Sequence, residues 1–253
     1  MFPREHGAYG QILIPTITAM AVGEAGAAAV ALAVAGFSVF LAHEPLLVIL
    51  GLRGARSLRE QRAAARRSLL MFGGIALVAG LPAFAALDVE SRAALLVPIG
   101  LAVCAGALMV YGLERTTAGE VIVGAALASL SLPVALASGV PVAGASTVAV
   151  VFATVFAMAT VSVRAVIART AGASRGPARG VALGVVTALV ALLGFLAGRG
   201  LLVSSAAIAS SPVLILTGVL LLVAPSARRL RTVGWTLVAA TAGTSAILIS
   251  TLR

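Results

Sequence analysis

Long apolar runs separated by short polar breaks set the pattern of this chain. Nine runs read as membrane-crossing helices, which need about 20 apolar residues each. They lie near Ala8–Val22, Ala25–Leu50, Ser68–Leu87, Ala93–Leu113, Ala118–Ser138, Ala143–Ile167, Gly180–Ala197, Ala206–Val223 and Val233–Leu252. The first run is short and carries Gln11, Pro15, Thr16 and Thr18. Asp88 to Arg92 reads as a tight polar turn, and Gly139-Val140-Pro141 as another. Three breaks are basic: Arg53–Arg67, Arg169–Arg179 and Pro225–Arg231. The first two follow spans with polar or charged residues in their last turns, a faint two-part arrangement. No stretch is left for a soluble domain. Residues 1–253 are therefore expected to form a single transmembrane domain, an all-α, polytopic integral membrane bundle of about nine helices. The polar start, Met1 to Gly7, carries no leader-like cleavage site, so the first run is expected to stay as a helix.

Composition supports this reading. Hydrophobic residues make up 61% of the chain and charged residues 10%, where a soluble domain carries roughly 25% charged residues. The mean hydropathy is +1.14. A soluble enzyme, a disordered tail and a nucleic-acid-binding module are excluded. The 27 glycines suit helices that approach closely in lipid. Cys104 is the one cysteine; lying in an apolar run, it is expected to be a buried small hydrophobe.

Charge adds sidedness. There are 18 basic residues, all arginine, against 8 acids, a net charge of +10. Cytoplasmic loops collect such residues. With nine spans and a cytoplasmic N-terminus, 15 of the 18 fall inside, and Arg92, Arg199 and Arg253 fall outside. The expected location is thus the cell (inner) membrane, multi-pass, with the C-terminus outside. Arginine without lysine, with much Ala and Val, suits a GC-rich bacterial genome. Membrane lipids are the expected surroundings, and nucleic acid is not an expected partner.

Four constellations can carry chemistry. Pro3-Arg4-Glu5-His6-Gly7 leads to Gln11 at the mouth of the first helix, where free N–H groups and Arg4 favour an anion. His43-Glu44-Pro45 lies near the end of the second span. A carboxylate there costs about 2.5–3.5 kcal/mol on insertion scales, so it needs a partner facing the bundle interior. Pro45 also frees the carbonyl of Leu41. His43, Glu44 and Pro45 lie two to three turns before Arg53 on the same expected helix, which puts them roughly 15 Å from it. Arg53, Arg56, Arg59, Glu60, Arg62, Arg66 and Arg67 form the third group. Three- and four-residue spacing puts Arg53, Arg56 and Arg59/Glu60 on one helical stripe that Arg67 can extend, and arginine forks grip phosphate in a bidentate manner. The fourth group is Ser162, Arg164, Arg169, Arg175 and Arg179. Arg164 lies inside a span and needs a carboxylate, with Glu44, Glu114 and Glu120 as candidates. Each group also has a plainer reading, as cap, structural ion pair or headgroup contact.

No paired-Asp motif, P-loop, HExxH or nucleophile elbow occurs in the sequence, and Asp88 is its single aspartate. His6, His43, Glu5 and Glu44 suit zinc or iron in type, but their spacing demands no metal and names no cofactor.

The segment Pro3-Arg4-Glu5-His6-Gly7-Ala8-Tyr9-Gly10-Gln11, followed by Pro15, Glu44-Pro45 and the Arg53–Arg67 stretch, resembles the YwiC-like family of bacterial membrane proteins. The likeness is specific over about the first 70 residues and brings no established function with it. A more distant, architectural resemblance is to the UbiA superfamily of intramembrane prenyltransferases. Nine spans with long second–third and sixth–seventh connections carry it. That resemblance implies Asp-rich, Mg²⁺-binding loops, whereas the matching loops here carry arginine.

Three functional readings follow. In the first, a UbiA-like enzyme acts on a lipid-borne anionic or diphosphate substrate at a cytoplasm-facing cavity. His43 and Glu44 would be its catalytic acid or base. Arg4, His6, Gln11, Arg53, Arg56 and Arg164 would bind the substrate. In the second, a small-molecule or lipid transporter uses Glu44 and Arg164 as a gated pair. In the third, the protein has an assembly role without catalysis.

Overall fold

In lipid, every backbone N–H and C=O must be paired within its own segment, so apolar runs of this length fold as helices. The computed structural model is helical in this way. It describes residues 6–170, 175–223, 225 and 229–253. Among them are α1 (His6–Val22), α2 (Ala27–Ile49), α3 (Ala55–Ala86), α4 (Val89–Ala94), α5 (Leu96–Val110), α6 (Thr117–Ser129), α7 (Ser131–Ala137), α8 (Val142–Thr170), α9 (Arg175–Gly198), α10 (Ala206–Val223) and α11 (Leu230–Leu252). Among the described residues, eight stretches are long and apolar enough to cross a membrane, with α4–α5 and α6–α7 each forming one of them. The shorter apolar helix Gly7–Val22 is the ninth apolar run of the sequence.

Several boundaries differ from the sequence reading. Helix α3 starts at Ala55, so most of the Arg53–Arg67 connection is helical. Its arginines favour helix, and nothing in Ala55–Arg67 breaks one. The stretch from Asp88 to Arg92 is not a turn alone. Asp88 caps α4, its Oδ1 accepting from Ser91 N at 2.7 Å. The fifth run is divided at Leu130 into α6 and α7. Of the two later basic breaks, residues 171–174, 224 and 226–228 lie outside the described residues, while α9 begins at Arg175 and α11 at Leu230.

Helix α8 is the centre. Buried residues make up 61% of its apolar window, with Val148, Val151, Phe152, Val155 and Met158 fully enclosed. Helices α6, α7, α9, α10 and α1 pack around it. Between helices in lipid the gain comes from close packing rather than escape from water. Gly36 of α2 allows such an approach: a Cβ there would stand 2.5 Å from Leu130 Cδ2. Helices α3 and α4–α5 are peripheral, with 11% and 6% of their windows buried. Their exposed Leu70, Val78, Leu96 and Val103 face outward, toward lipid. Cys104 is on this exposed surface, contrary to the burial expected of it. An apolar run in a membrane protein faces lipid as readily as protein.

The two ends of the bundle are tied differently. At one end the α1–α2 turn meets the α7–α8 turn, Glu24 N donating to Ser138 O at 2.8 Å. There too Val203 N, in the α9–α10 turn, donates to Thr147 Oγ1 of α8 at 2.9 Å. The other end holds the α2–α3 and α5–α6 turns, the start of α1 and the last turns of α8. Most of the titratable candidates lie there.

Candidate functional site

The first group forms where α2 stops. Gly51, at φ 75°, ends the helix in the left-handed conformation that glycine adopts without strain. Its N–H bonds Val48 O, and Leu52 N bonds Leu47 O. The reversed chain brings Arg53 back onto α2, where Nε and Nη2 donate to Glu44 Oε1 and Oε2 at 2.9 and 2.6 Å. The expected separation of roughly 15 Å is therefore wrong, because it ran a helical rise through a residue where the helix has ended. Arg53 also leaves the stripe it was placed on with Arg56 and Arg59, since α3 begins after it. The side chains of Glu44 and Arg53 are 19% and 30% exposed. The fork thus neutralises an acid that water reaches poorly. The preceding residue, His43, has its Nε2 2.9 Å from Met109 Sδ, linking α2 to α5.

The second group lies across the α5–α6 hairpin. Thr116 caps α6, its Oγ1 accepting from Gly119 N at 3.1 Å. This sets Glu120 in the first helical turn, where the helix dipole favours a carboxylate. Gly119 is required for the fit: a Cβ would stand 2.3 Å from Leu113 O. Arg164 of α8 donates from Nε to Glu120 Oε2 at 2.9 Å. Its Nη2 donates to Glu120 Oε1 and to Arg115 O. Of the three acids open to Arg164, Glu120 is its partner. Glu114 lies next in chain to Arg115, and its Oε2 is buried with no hydrogen bond among the described residues.

Helix α1 runs between these groups and the far end. Gln11 sits against α6 and α8: a Cβ on Gly124 would lie 3.5 Å from Gln11 Nε2 and 3.5 Å from Phe156 Cβ. Tyr9 packs edge-on against Phe40 of α2, ring centres 5.3 Å apart. Deeper along α1, Thr18 Oγ1 is 2.6 Å from Ser245 Oγ of α11. Thr217 of α10 and Thr244 of α11 are fully buried, and their hydroxyls have no hydrogen-bond partner among the described residues. At the far end, Val22, Glu24, Ser138, Val140, Leu252 and Arg253 border an open cleft of about 660 Å³.

The structure therefore brings Glu44 and Arg53 together, with His43 the residue before Glu44 in the chain, and places Gln11 on α1 and Arg164 on α8. Arg56 is apart from both groups. It is exposed and paired with Glu60 of its own helix at 2.8 Å. Arg4 lies outside the described residues, as does the side chain of His6. Sequence reasoning missed Met109, Ser245, Thr217 and Thr244. The three hydroxyl residues were visible as polar positions inside apolar runs, but nothing in the sequence said which faced protein. No group of three or more His, Cys, Asp or Glu side chains is placed to hold a metal ion among the described residues.

A family model described as YwiC-like protein matches residues 2–136, just over half of the chain. That range takes in Gln11, His43, Glu44, Arg53 and Glu120 and stops short of Arg164. Comparison with curated proteins and with solved structures finds no match.

Proposed function

The chain belongs to the YwiC-like protein family, and from the arrangement above we propose that it is a small-molecule carrier held shut at one end by arginine–glutamate pairs. The observation that carries this is the series of polar groups along α1. Gln11 lies near the paired end, Thr18 with Ser245 lies further along, and the open cleft lies at the far end. Polar side chains spaced along one helix of an apolar bundle support this reading, since polar positions inside membrane spans mark solute pathways. The buried hydroxyls of Thr217 and Thr244, without a hydrogen-bond partner among the described residues, add two further polar groups to the helices around this series. Arg53 and Arg164 are both occupied by carboxylates. An anion arriving from that end competes with Glu44 and Glu120 for them, which is how an ion pair becomes a gate.

In this proposal the paired end faces the cytoplasm and the C-terminus lies outside. Supporting it are Arg53, Arg56, Arg59, Arg62, Arg66, Arg67, Arg115 and Arg164 at that end, against Arg92, Arg199 and Arg253 at the other. A second reading, the UbiA-like enzyme acting on a lipid-borne anionic or diphosphate substrate, draws on His43 being next in the chain to the paired Glu44. There Glu44 releases Arg53 to the substrate and then serves as acid or base.

Cysteine labelling separates the readings. Gln11→Cys is placed in a Cys104→Ala chain and treated with a membrane-impermeant maleimide in vesicles of known sidedness. A carrier reacts slowly from the paired end, and Glu120→Gln raises that rate at least tenfold. Labelling indifferent to both Glu120→Gln and Glu44→Gln sinks the gate and returns both pairs to a structural role.

A further inference from the structure

Helix α3 has 32 residues, about 48 Å at 1.5 Å per residue, against a hydrocarbon core of about 30 Å. The surplus is its arginine-rich first part. From Ser68 to Ala86 the helix is free of charged residues, and Arg66 and Arg67 stand at the border. The lipid phosphates lie at this depth, since the interfacial layer adds roughly 5–7 Å on each side of the core.

At 100° per residue, Arg59, Arg62 and Arg66 fall on one stripe that continues through Leu70, Gly73, Leu77 and Leu81. The whole stripe faces outward. The three arginines are exposed, and Leu70, Leu77 and Leu81 are 74%, 61% and 65% exposed. Helix α2, the packing partner of α3, covers the opposite side, where Ala65, Ser68 and Phe72 are buried. Glu60 is held by Arg56, and none of the three stripe arginines meets a carboxylate among the described residues. Between the leucines, Gly73 and its neighbour Gly74 leave a notch: a Cβ on either would meet nothing within 4 Å.

We propose that this stripe is a binding site for one anionic phospholipid. Arg62 and Arg66, one turn apart, hold the phosphate, with Arg59 as an outer rung reaching the rest of the headgroup. One acyl chain lies along Leu70, Leu77 and Leu81 in the notch left by Gly73. Charge complementarity selects the occupant: unpaired guanidinium groups at phosphate depth, continuous with an apolar face, fit an anionic lipid and repel a second copy of the same basic stripe.

The test uses the full chain in mixed micelles, with phosphatidylglycerol and phosphatidylcholine as probes. Native mass spectrometry counts retained lipid, and thermal unfolding reads the shift that each lipid causes. The wild type is expected to retain one phosphatidylglycerol at least tenfold better than phosphatidylcholine. The triple variant R59Q/R62Q/R66Q, which changes exposed positions to another good helix former, should lose that preference. Gly73→Leu, which fills the notch without touching charge or packing, should lower retention several-fold. A control, R229Q/R231Q, should leave it unchanged. Three results overturn the proposal. One is full retention in the triple variant. Another is equal competition by free glycerol phosphate, which makes the stripe a plain anion site. The third is a dimer that Gly73→Leu dissociates, which gives the face to a second copy.

Discussion

The Glu44–Arg53 and Glu120–Arg164 pairs share one geometry, a guanidinium fork on a carboxylate, and one end of the bundle. They differ in what they hold. The first closes over nine residues around the α2–α3 turn, and the second closes over 44 residues between α6 and α8. The local pair is the better buried, at 19% and 30% exposed for Glu44 and Arg53. Glu120 and Arg164 are 42% and 34% exposed. Arg164 compensates by also donating to Arg115 O, so it gathers α8, α6 and the turn before α6. An ion pair is costlier to break where it is dry, and it connects more of the fold where it is distant in sequence. Here the two virtues fall to different pairs.

That contrast can be broken by experiment. The largest effect should come from Arg53→Ala, which strands Glu44 in a poorly hydrated place. About 2 kcal/mol of stability should be lost, below the 3–5 kcal/mol of a fully enclosed pair because both groups are partly exposed. Reversible unfolding in mixed micelles measures it, and hydrogen exchange should rise mainly in the α2–α3 turn. Glu120→Gln should cost less, about 1 kcal/mol after allowing for screening of its exposed surface. Its exchange signature should reach α6 and the end of α8 together. The reversed pair, Glu120→Arg with Arg164→Glu, should recover part of that loss. If the two single variants give the same cost and the same exchange pattern, the distinction between them is gone.

Arg56→Ala probes the same chemistry without burial. Arg56 and Glu60 are 85% and 56% exposed and four residues apart, so the loss should be within about 0.5 kcal/mol. The smallest effect is expected at Asp88. Backbone and side-chain hydrogen bonds from Ser91, with the nearby Arg92, hold its carboxyl below the usual aspartate value. A lowered carboxyl stabilises the fold above its unfolded pKa, and that contribution disappears as pH falls through the folded one. A pH titration of unfolding below about pH 4 should show a shallow loss that Asp88→Asn removes.

The same contrast explains what could be read from the chain alone. Apolar run length is a one-dimensional signal, so each of the nine runs met a helix or helix pair in the structure. The need of Arg164 for a carboxylate was equally plain, because an unpaired guanidinium inside a span is too costly. Which of three acids answers it depends on how helices pack, and the sequence does not encode that at short range. The Glu44–Arg53 pair was missed for a local reason: the reversal at Gly51 looks, in sequence, like one more glycine in a helix. Cys104 was misplaced because lipid and protein interior select the same residues. Arg4 and the side chain of His6, the most distinctive part of the N-terminal signature, lie outside the described residues and stand as they did in the sequence.

The short helices have a consequence for the membrane itself. Helix α1 has 17 residues and α10 has 18, about 26 and 27 Å, and both pack on the central α8. A bilayer thicker than this must thin around the protein or leave helix ends submerged, at a cost of fractions of a kcal/mol per ångström of mismatch. The molecule should be most stable in vesicles of shorter acyl chains, making bilayer thickness a lever on its working state.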